Sequence, residues 1–248
     1  MQKRTIKAIL FDSGKVLNQP ATGHWFITPN FWQHVDKVKY QKIDSKKVSR
    51  AFREANKYIE AQSTIITKED EYQYFLKFYT IFSENVPELE MGVEQIEAVA
   101  KDLVFNPLKY VFYKDALEMI PQLASKYQLG IVSDAWPSLL DVYREQNFED
   151  YFETIVISSM IGVTKPHEKM YITALEALNI SVEQAVFVDD NLQNCIGAMK
   201  VGIHSVLLCR NKWLYLWNKI TSIGKGYDVI CRLKELKKIT YGDCAGIL

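Results

Sequence analysis

FDSGKVLNQP, residues 11–20, decides how the rest of the chain is read. It ends an apolar run, Ile6-Lys7-Ala8-Ile9-Leu10, with the carboxylate of Asp12, and Ser13-Gly14 then turns the chain. A short continuous apolar run suits a strand buried on both faces of a parallel sheet. Similar runs follow at residues 129–133, 154–157, 185–188 and 204–208. The segments between the later runs have helical spacing, as in Met170, Ala174, Leu175 and Leu178. Strands that alternate with helices predict an α/β fold, a right-handed doubly wound parallel sheet.

The 248 residues leave room for one large domain or two small ones. Hydrophobic residues make up 48% and charged residues 24%, as in ordinary globular proteins. Thirty basic side chains balance thirty acidic ones, so no global field attracts nucleic acid or an anionic membrane, and neither is expected as a partner. The start, MQKRTIKAILFD, lacks the apolar core and cleavage site of a signal peptide. No stretch approaches the roughly 18 apolar residues of a membrane-spanning helix. Cys195, Cys209, Cys231 and Cys244 lack metal-ligand spacing, which fits reduced thiols in a cytoplasmic protein.

Residues 20–108 read differently. An aromatic-rich stretch, TGHWFITPNFW, leads into helical segments at 45–60 and 68–82, with no clear buried strand. Asp44 or Ser45 suits the N-cap of the first, and Lys68-Glu69-Asp70 puts acid into the first turn of the second. The expected organisation is therefore a core of residues 1–19 and 109–248, with a helical cap of residues 20–108 inserted after the first strand. Insertions at the carboxyl end of a strand stand over the mouth of an α/β site.

The strand ends deliver polar groups to one rim of the sheet. The first gives Asp12, GIVSDAW gives Ser133 and Asp134, and SSMIGVTKPHEKMY gives Lys165 at the start of a helix. VFVDDNLQN gives Asp189, Asp190, Asn191 and Asn194. Ligands of open α/β sheets bind at this rim, so the groups can converge. Singly, each has a bland explanation, since Asp favours turns and a lysine before proline is ordinarily solvated. As a set they suit phosphoryl transfer. Clustered carboxylates call for a divalent cation, and an all-oxygen site suits Mg²⁺. One carboxylate can act as nucleophile while a hydroxyl and an ammonium hold the phosphoryl oxygens. The Gly14 carbonyl is a further candidate metal ligand.

These segments resemble the motifs of the haloacid dehalogenase-like hydrolase superfamily, in its helical-cap subfamily with a Rossmann-like core. FDSGKVL is similar to the nucleophile motif, IVSD to the second, Lys165-Pro166 to the third and FVDDNLQNCIGAMKVG to the acidic metal motif. The nearest branch is that of glucose-1-phosphate phosphatases and the N-terminal phosphatase domain of epoxide hydrolases. The resemblance implies that Asp12 is nucleophile and metal ligand, with Gly14, Asp190 and Asp189 completing a Mg²⁺ site. Ser133, Asp134 and Lys165 would bind phosphate, with Lys165 also steadying Asp12. Asn194 would orient a metal-bound water or Asp190. The implied activity is hydrolysis of a small, sugar-phosphate-like metabolite through an aspartyl phosphate, in a monomer or homodimer.

The sequence departs from the family at Gly14, where most phosphatases of the superfamily carry an Asp as general acid. Losing such an acid costs about 10²–10⁴ in rate, so weak or leaving-group-limited turnover is expected. His24 in TGHWF is the nearest replacement donor, against a bland role as a packed residue. The alternative function is a regulatory protein that binds a phosphorylated metabolite without efficient turnover. SGK lacks the spacing of a phosphate loop, and no GxGxxG fingerprint occurs. The first motif also lacks the Tyr-Gly-Thr pattern that accompanies dehalogenase chemistry. Trp213, Tyr215 and Trp217 are expected in packing or at a dimer surface rather than as a base-stacking platform.

Overall fold

The computed structural model describes residues 5–62 and 64–241. Cys244 and the basic start Met1–Arg4 lie outside them. The chain divides into two compact units. One takes in residues up to Gln19, Phe112–Ala135 and everything described from Asn147 onward, and the other comprises Pro20–Val111 and Trp136–Gln146.

The first unit is built on strands β1 (Ala8–Phe11), β4 (Gln128–Ser133), β5 (Thr154–Ile157), β6 (Ala185–Asp189), β7 (His204–Leu208) and β8 (Asp228–Ile230). Two short strands, β2 (Asn18–Pro20) and β3 (Tyr110–Phe112), pair where the chain passes from one unit to the other and back. The six long-range partners form one sheet in the order β5-β4-β1-β6-β7-β8, and every pairing is parallel. From β1 the chain runs outward through β4 to β5, then outward on the other side through β6 and β7 to β8. β1 therefore sits at the switch point, where such sheets place their ligand sites. Its four residues are all buried, and Leu10 lies in register with Gly130 on one side and Phe187 on the other.

The expected strands are present with small shifts. β1 begins at Ala8, and Lys7 before it already bonds to both sides, donating to the Gln184 carbonyl and accepting from the Gln128 amide. β8 was not foreseen: three residues after Gly226-Tyr227 are too short to show a pattern, and pairing with β7 is what makes them a strand. The helices of this unit are α6 (Lys114–Ala124), α8 (Ser158–Ile161), α9 (Glu168–Leu178), α10 (Leu192–Val201), α11 (Lys212–Thr221) and α12 (Leu236–Tyr241). α9 buries Met170, Tyr171, Ala174, Leu175 and Leu178 in one cluster with Leu10, Val132 and Phe187 of the sheet.

The second unit is helical: α1 (Phe31–His34), α2 (Lys37–Lys42), α3 (Ser45–Glu60), α4 (Lys68–Asn85), α5 (Val93–Phe105) and α7 (Leu139–Glu145). Asp44 caps α3 by accepting from the Lys46 amide, and Thr67 caps α4 by accepting from that of Asp70. α3 buries Val48, Ala51, Phe52, Ala55 and Ile59, and α4 answers with Phe75, Phe78, Tyr79 and Phe82. Phe52 and Phe82 stack with centroids 4.2 Å apart.

The helical unit also buries charge. Glu71 and Lys109 are buried and share Ser138, which donates its amide (2.8 Å) and hydroxyl to Glu71 and accepts from the Lys109 ammonium. Lys109 also donates to the Leu103 carbonyl at 2.8 Å. Burial pushes the Glu71 carboxyl up and the Lys109 ammonium down to about 8, from an ordinary 10.5. Between those two values the unfolded chain holds more protons at Lys109 than the folded one, so stability rises with pH across that window. Relative to Lys109→Met, wild type should gain thermal stability as pH rises from about 8 towards 10.5, as thermal melts at stepped pH would show. A constant or widening deficit would mean that Lys109 is not the group that titrates.

Candidate active site

The carboxyl ends of three neighbouring strands converge on one buried ammonium. Asp12 directly follows β1, and its amide continues the ladder by donating to Val188 of β6 at 2.9 Å. β6 ends at Asp189, and β4 supplies the carbonyl of Val132. Lys165, on the loop that follows α8, places its Nζ 2.5 Å from Asp12 Oδ1, 2.9 Å from Asp189 Oδ2 and 2.9 Å from the Val132 carbonyl. Its three N–H donors are therefore all used, and its side chain is 1% exposed.

Lys165 lies in a turn rather than at a helix start, because α9 begins only at Glu168 after the N-cap His167. The turn is held by Asp134, whose Oδ1 accepts from the Lys165 amide at 2.9 Å. Asp134 thus braces the Lys165 loop, and its position beside Ser133 comes from the end of β4. Ser133 itself is buried at that strand end, in register with Ile157.

Asp189 is wholly buried, and it accepts from the Asn191 amide at 2.7 Å and from Asn194 Nδ2 at 3.0 Å. Asn194 therefore orients Asp189 and not Asp190. The reason is helical geometry: one turn into α10, its side chain points back to the strand end. Asp190 is half-buried and faces Lys15 at 3.8 Å.

The electrostatics follow from this crowding. Burial raises the Asp12 carboxyl to about 7, with Lys165 opposing the shift and Asp189 and Asp190 adding to it. Burial and the neighbouring Asp189 also raise Asp190. Burial alone would lower Lys165, but Asp12, Asp189 and Asp134 hold it above the ordinary lysine range. Oxygen atoms of Asp12, Asp189 and Asp190 lie within 4.8 Å of one another. One buried ammonium cannot balance three carboxylates, so this all-oxygen donor set fits a hard divalent cation.

Side chains that the sequence did not point to shape the loop after Asp12. Asn18 Nδ2 donates to Ser13 Oγ at 2.7 Å, and the Lys15 amide donates to the Asn18 carbonyl at 2.6 Å. Lys15 takes a left-handed conformation at φ 60°, and Gly14 bridges to Asn18. Arg210, just past β7, donates to the carbonyls of Lys15 (3.1 Å) and Val16 (2.6 Å), pairs with Asp115 at 3.0 Å and stacks on Tyr113. A residue so distant in sequence leaves no local signal of this role.

His24 belongs to the helical unit. It packs on Phe52 with centroids 4.6 Å apart, and its Nδ1 accepts from the Phe26 amide at 3.2 Å. Burial lowers its pKa, which favours the neutral ring. It lines a cavity of about 560 Å³ with Phe26, Tyr40, Phe52 and Arg53. These are the surroundings of a packed aromatic residue.

A sheet of this order, an interrupting helical unit and an acidic strand-end site define a family already known. The family model for haloacid dehalogenase-like hydrolases matches residues 27–208, and the chain belongs to that family. The matched span starts beyond Asp12. The chain is 37% identical over 86 residues to the glyceraldehyde 3-phosphate phosphatase of Pyrococcus abyssi, covering 32% of this chain and 34% of that protein. It thus spans about a third of that relative's length. Among solved structures, a haloacid dehalogenase-like phosphatase from Thermococcus onnurineus aligns with a TM-score of 0.60 at 24% identity, covering 94% of this chain and 97% of that one. L-2-haloacid dehalogenase from Xanthobacter autotrophicus aligns with a TM-score of 0.63 at 15% identity, covering 96% and 99%. Both are likenesses of fold.

Gly197 on α10 is a further position that the sequence did not mark. A Cβ there would lie 2.5 Å from Pro166 Cβ, 2.9 Å from the Pro166 carbonyl oxygen and 2.9 Å from the Tyr171 hydroxyl. The helix approaches this closely only because the residue has no side chain. Gly197→Ala should displace the loop that carries Lys165 and cost about 1–3 kcal/mol, as overpacking does. Urea unfolding checks this, and an unchanged midpoint would show that the loop yields without cost.

Proposed function

We propose that the protein is a Mg²⁺-dependent phosphatase of a small, sugar-phosphate-like metabolite, with Asp12 as nucleophile. The observation that carries this is the buried contact of Lys165 with both Asp12 and Asp189, beside Asp190. It fixes one carboxylate at the mouth of the sheet, within a cluster of charge that suits a cation. The relative named for glyceraldehyde 3-phosphate supports a small phosphorylated substrate.

In this proposal Asp12, Asp189, Asp190 and the Gly14 carbonyl would hold the ion. When bound, it would supply positive charge to the phosphoryl oxygens and keep Asp12 ionised. Asp12 then attacks phosphorus, the ester P–O bond breaks, and the substrate oxygen leaves with the bonding pair. Lys165 holds Asp12 in line for the attack, and Ser133 donates to a phosphoryl oxygen. Asp134 positions Lys165 through its backbone. Water next cleaves the aspartyl phosphate, releasing inorganic phosphate and restoring Asp12. Because Gly14 offers no proton, the departing alkoxide must take one from water. That places the burden of the first step on the leaving group.

A cytoplasmic setting fits a soluble metabolite. No helix among the described residues is long and apolar enough to cross a membrane. In the helical unit, a role as a cap that admits substrate is part of the same proposal.

Asp12→Asn should lower kcat for p-nitrophenyl phosphate by about 10³-fold or more, and chelation of divalent ions should do the same to wild type. Equal activity before and after either change would sink the mechanism. Gly14 motivates a second reading, that of a regulatory protein which binds a phosphorylated metabolite with little turnover. The two separate on leaving groups. A phosphatase without a general acid should hydrolyse p-nitrophenyl phosphate about 10²–10⁴ times faster than an alkyl phosphate, and Gly14→Asp should narrow that gap. Turnover at the level of Asp12→Asn with every substrate would favour the regulatory role.

A further inference from the structure

Helix α11 turns the wrong face outward for a helix packed on a domain. Such a helix ordinarily buries its apolar stripe, yet no residue of α11 is buried. The side that meets the protein is mostly polar. Asn218 Nδ2 bonds Cys209 Sγ at 3.5 Å, the Lys219 ammonium donates to the Val229 carbonyl at 3.1 Å, and Tyr215 packs on the cluster of Cys195, Leu207 and Val229. The opposite side carries Trp213, 81% exposed, and Trp217, 68% exposed, with Leu216 and Ile220 between and beside them. At about 100° per residue these four fall on one stripe. Ile223, 80% exposed, extends the stripe past the helix end.

Charge says what covers this face. From Asn191 to Tyr227 the sequence contains no Asp or Glu, but it has Lys200, Arg210, Lys212, Lys219 and Lys225. Arg210 pairs with Asp115 and Lys219 bonds the Val229 carbonyl, which leaves Lys200, Lys212 and Lys225 as a local excess that the whole-chain balance of thirty against thirty hides. Lys212 and Lys225 flank the stripe, are exposed and have no acidic partner among the described residues. Two copies meeting through this stripe would bring their lysines together, and the acids that border the segment, Asp190 and Asp228, already face Lys15 and His204. A surface of anionic headgroups over an apolar interior suits every part of it. Tryptophan favours that boundary, and flanking lysines gain from the negative surface potential.

We propose that α11 docks the protein peripherally on an anionic lipid bilayer, with Trp213 and Trp217 inserted at the headgroup level. The helix would lie in the plane of the interface, as an amphipathic anchor does. Docking would be reversible and sensitive to salt, because ions screen the lysine contribution.

The test is co-sedimentation of the full chain with vesicles of phosphatidylcholine and phosphatidylglycerol, against phosphatidylcholine alone. Wild type should bind the mixed vesicles, and added salt should weaken the binding. Trp213→Ser with Trp217→Ser should bind at least about tenfold more weakly, with an unchanged melting curve. Lys212→Glu with Lys225→Glu should also lose binding, and it serves if the first pair fails to fold. Failure of wild type to sediment with the mixed vesicles overturns the proposal, as does equal binding by both folded variants. A concentration-dependent dimer in vesicle-free solution, abolished by the tryptophan changes, would assign the face to a second copy and overturn it too.

Discussion

The site depends on burying one ammonium among groups that three neighbouring strands provide. Lys165 meets Asp12 at the end of β1, Asp189 at the end of β6 and the carbonyl of Val132 on β4. These three strands are the central neighbours of the sheet. A buried charge with an incomplete set of partners is strongly destabilising, so the ammonium ties the strand order to the site. Any arrangement that separated β4, β1 and β6 would leave Lys165 or a carboxylate unpaired in the interior.

The same contact leaves negative charge over. Lys165 compensates part of the charge on Asp12, Asp189 and Asp190, and burial raises the Asp12 carboxyl to about 7. A cluster in this state favours any cation or proton that reaches it. The loop after Asp12 is held from two directions, by Asn18 on Ser13 and by Arg210 on the carbonyls of Lys15 and Val16. That bracing fixes the backbone at Gly14, even though no side chain is there to position.

The helical unit has a separate logic. Its core is aromatic, with Phe31, Phe52, Phe75, Phe78, Tyr79 and Phe82 buried together. In the same unit, Ser138 serves Glu71 and Lys109 at once, so two groups that dislike burial are satisfied by one side chain and by each other's field. Ser138 comes from the segment just after IVSD, far in sequence from the helices that it joins.

Much of the fold was legible because its signals are local. Apolar runs marked five of the six strands of the main sheet, a capping residue marked the start of α3, and acids in the first turn marked that of α4. The acids at the strand ends could be picked out because strands of one parallel sheet deliver their ends to one rim. β8 escaped, since three residues carry no period. Lys165 lies in a turn ahead of α9 rather than at the helix start, and Asn194 bonds Asp189 rather than Asp190, because both depend on where a loop and a helix start relative to the strand ends.

The sequence by itself determined the alternation of strand and helix and the acids at the strand ends. Tertiary structure alone decided which of those acids share Lys165, that Arg210 clamps the Asp12 loop, and that the tryptophans of α11 face outward. The physical reason is range. Hydrophobic period and capping act within a few residues, whereas ion pairs, buried hydrogen bonds and the facing of a helix depend on neighbours brought together from distant parts of the chain.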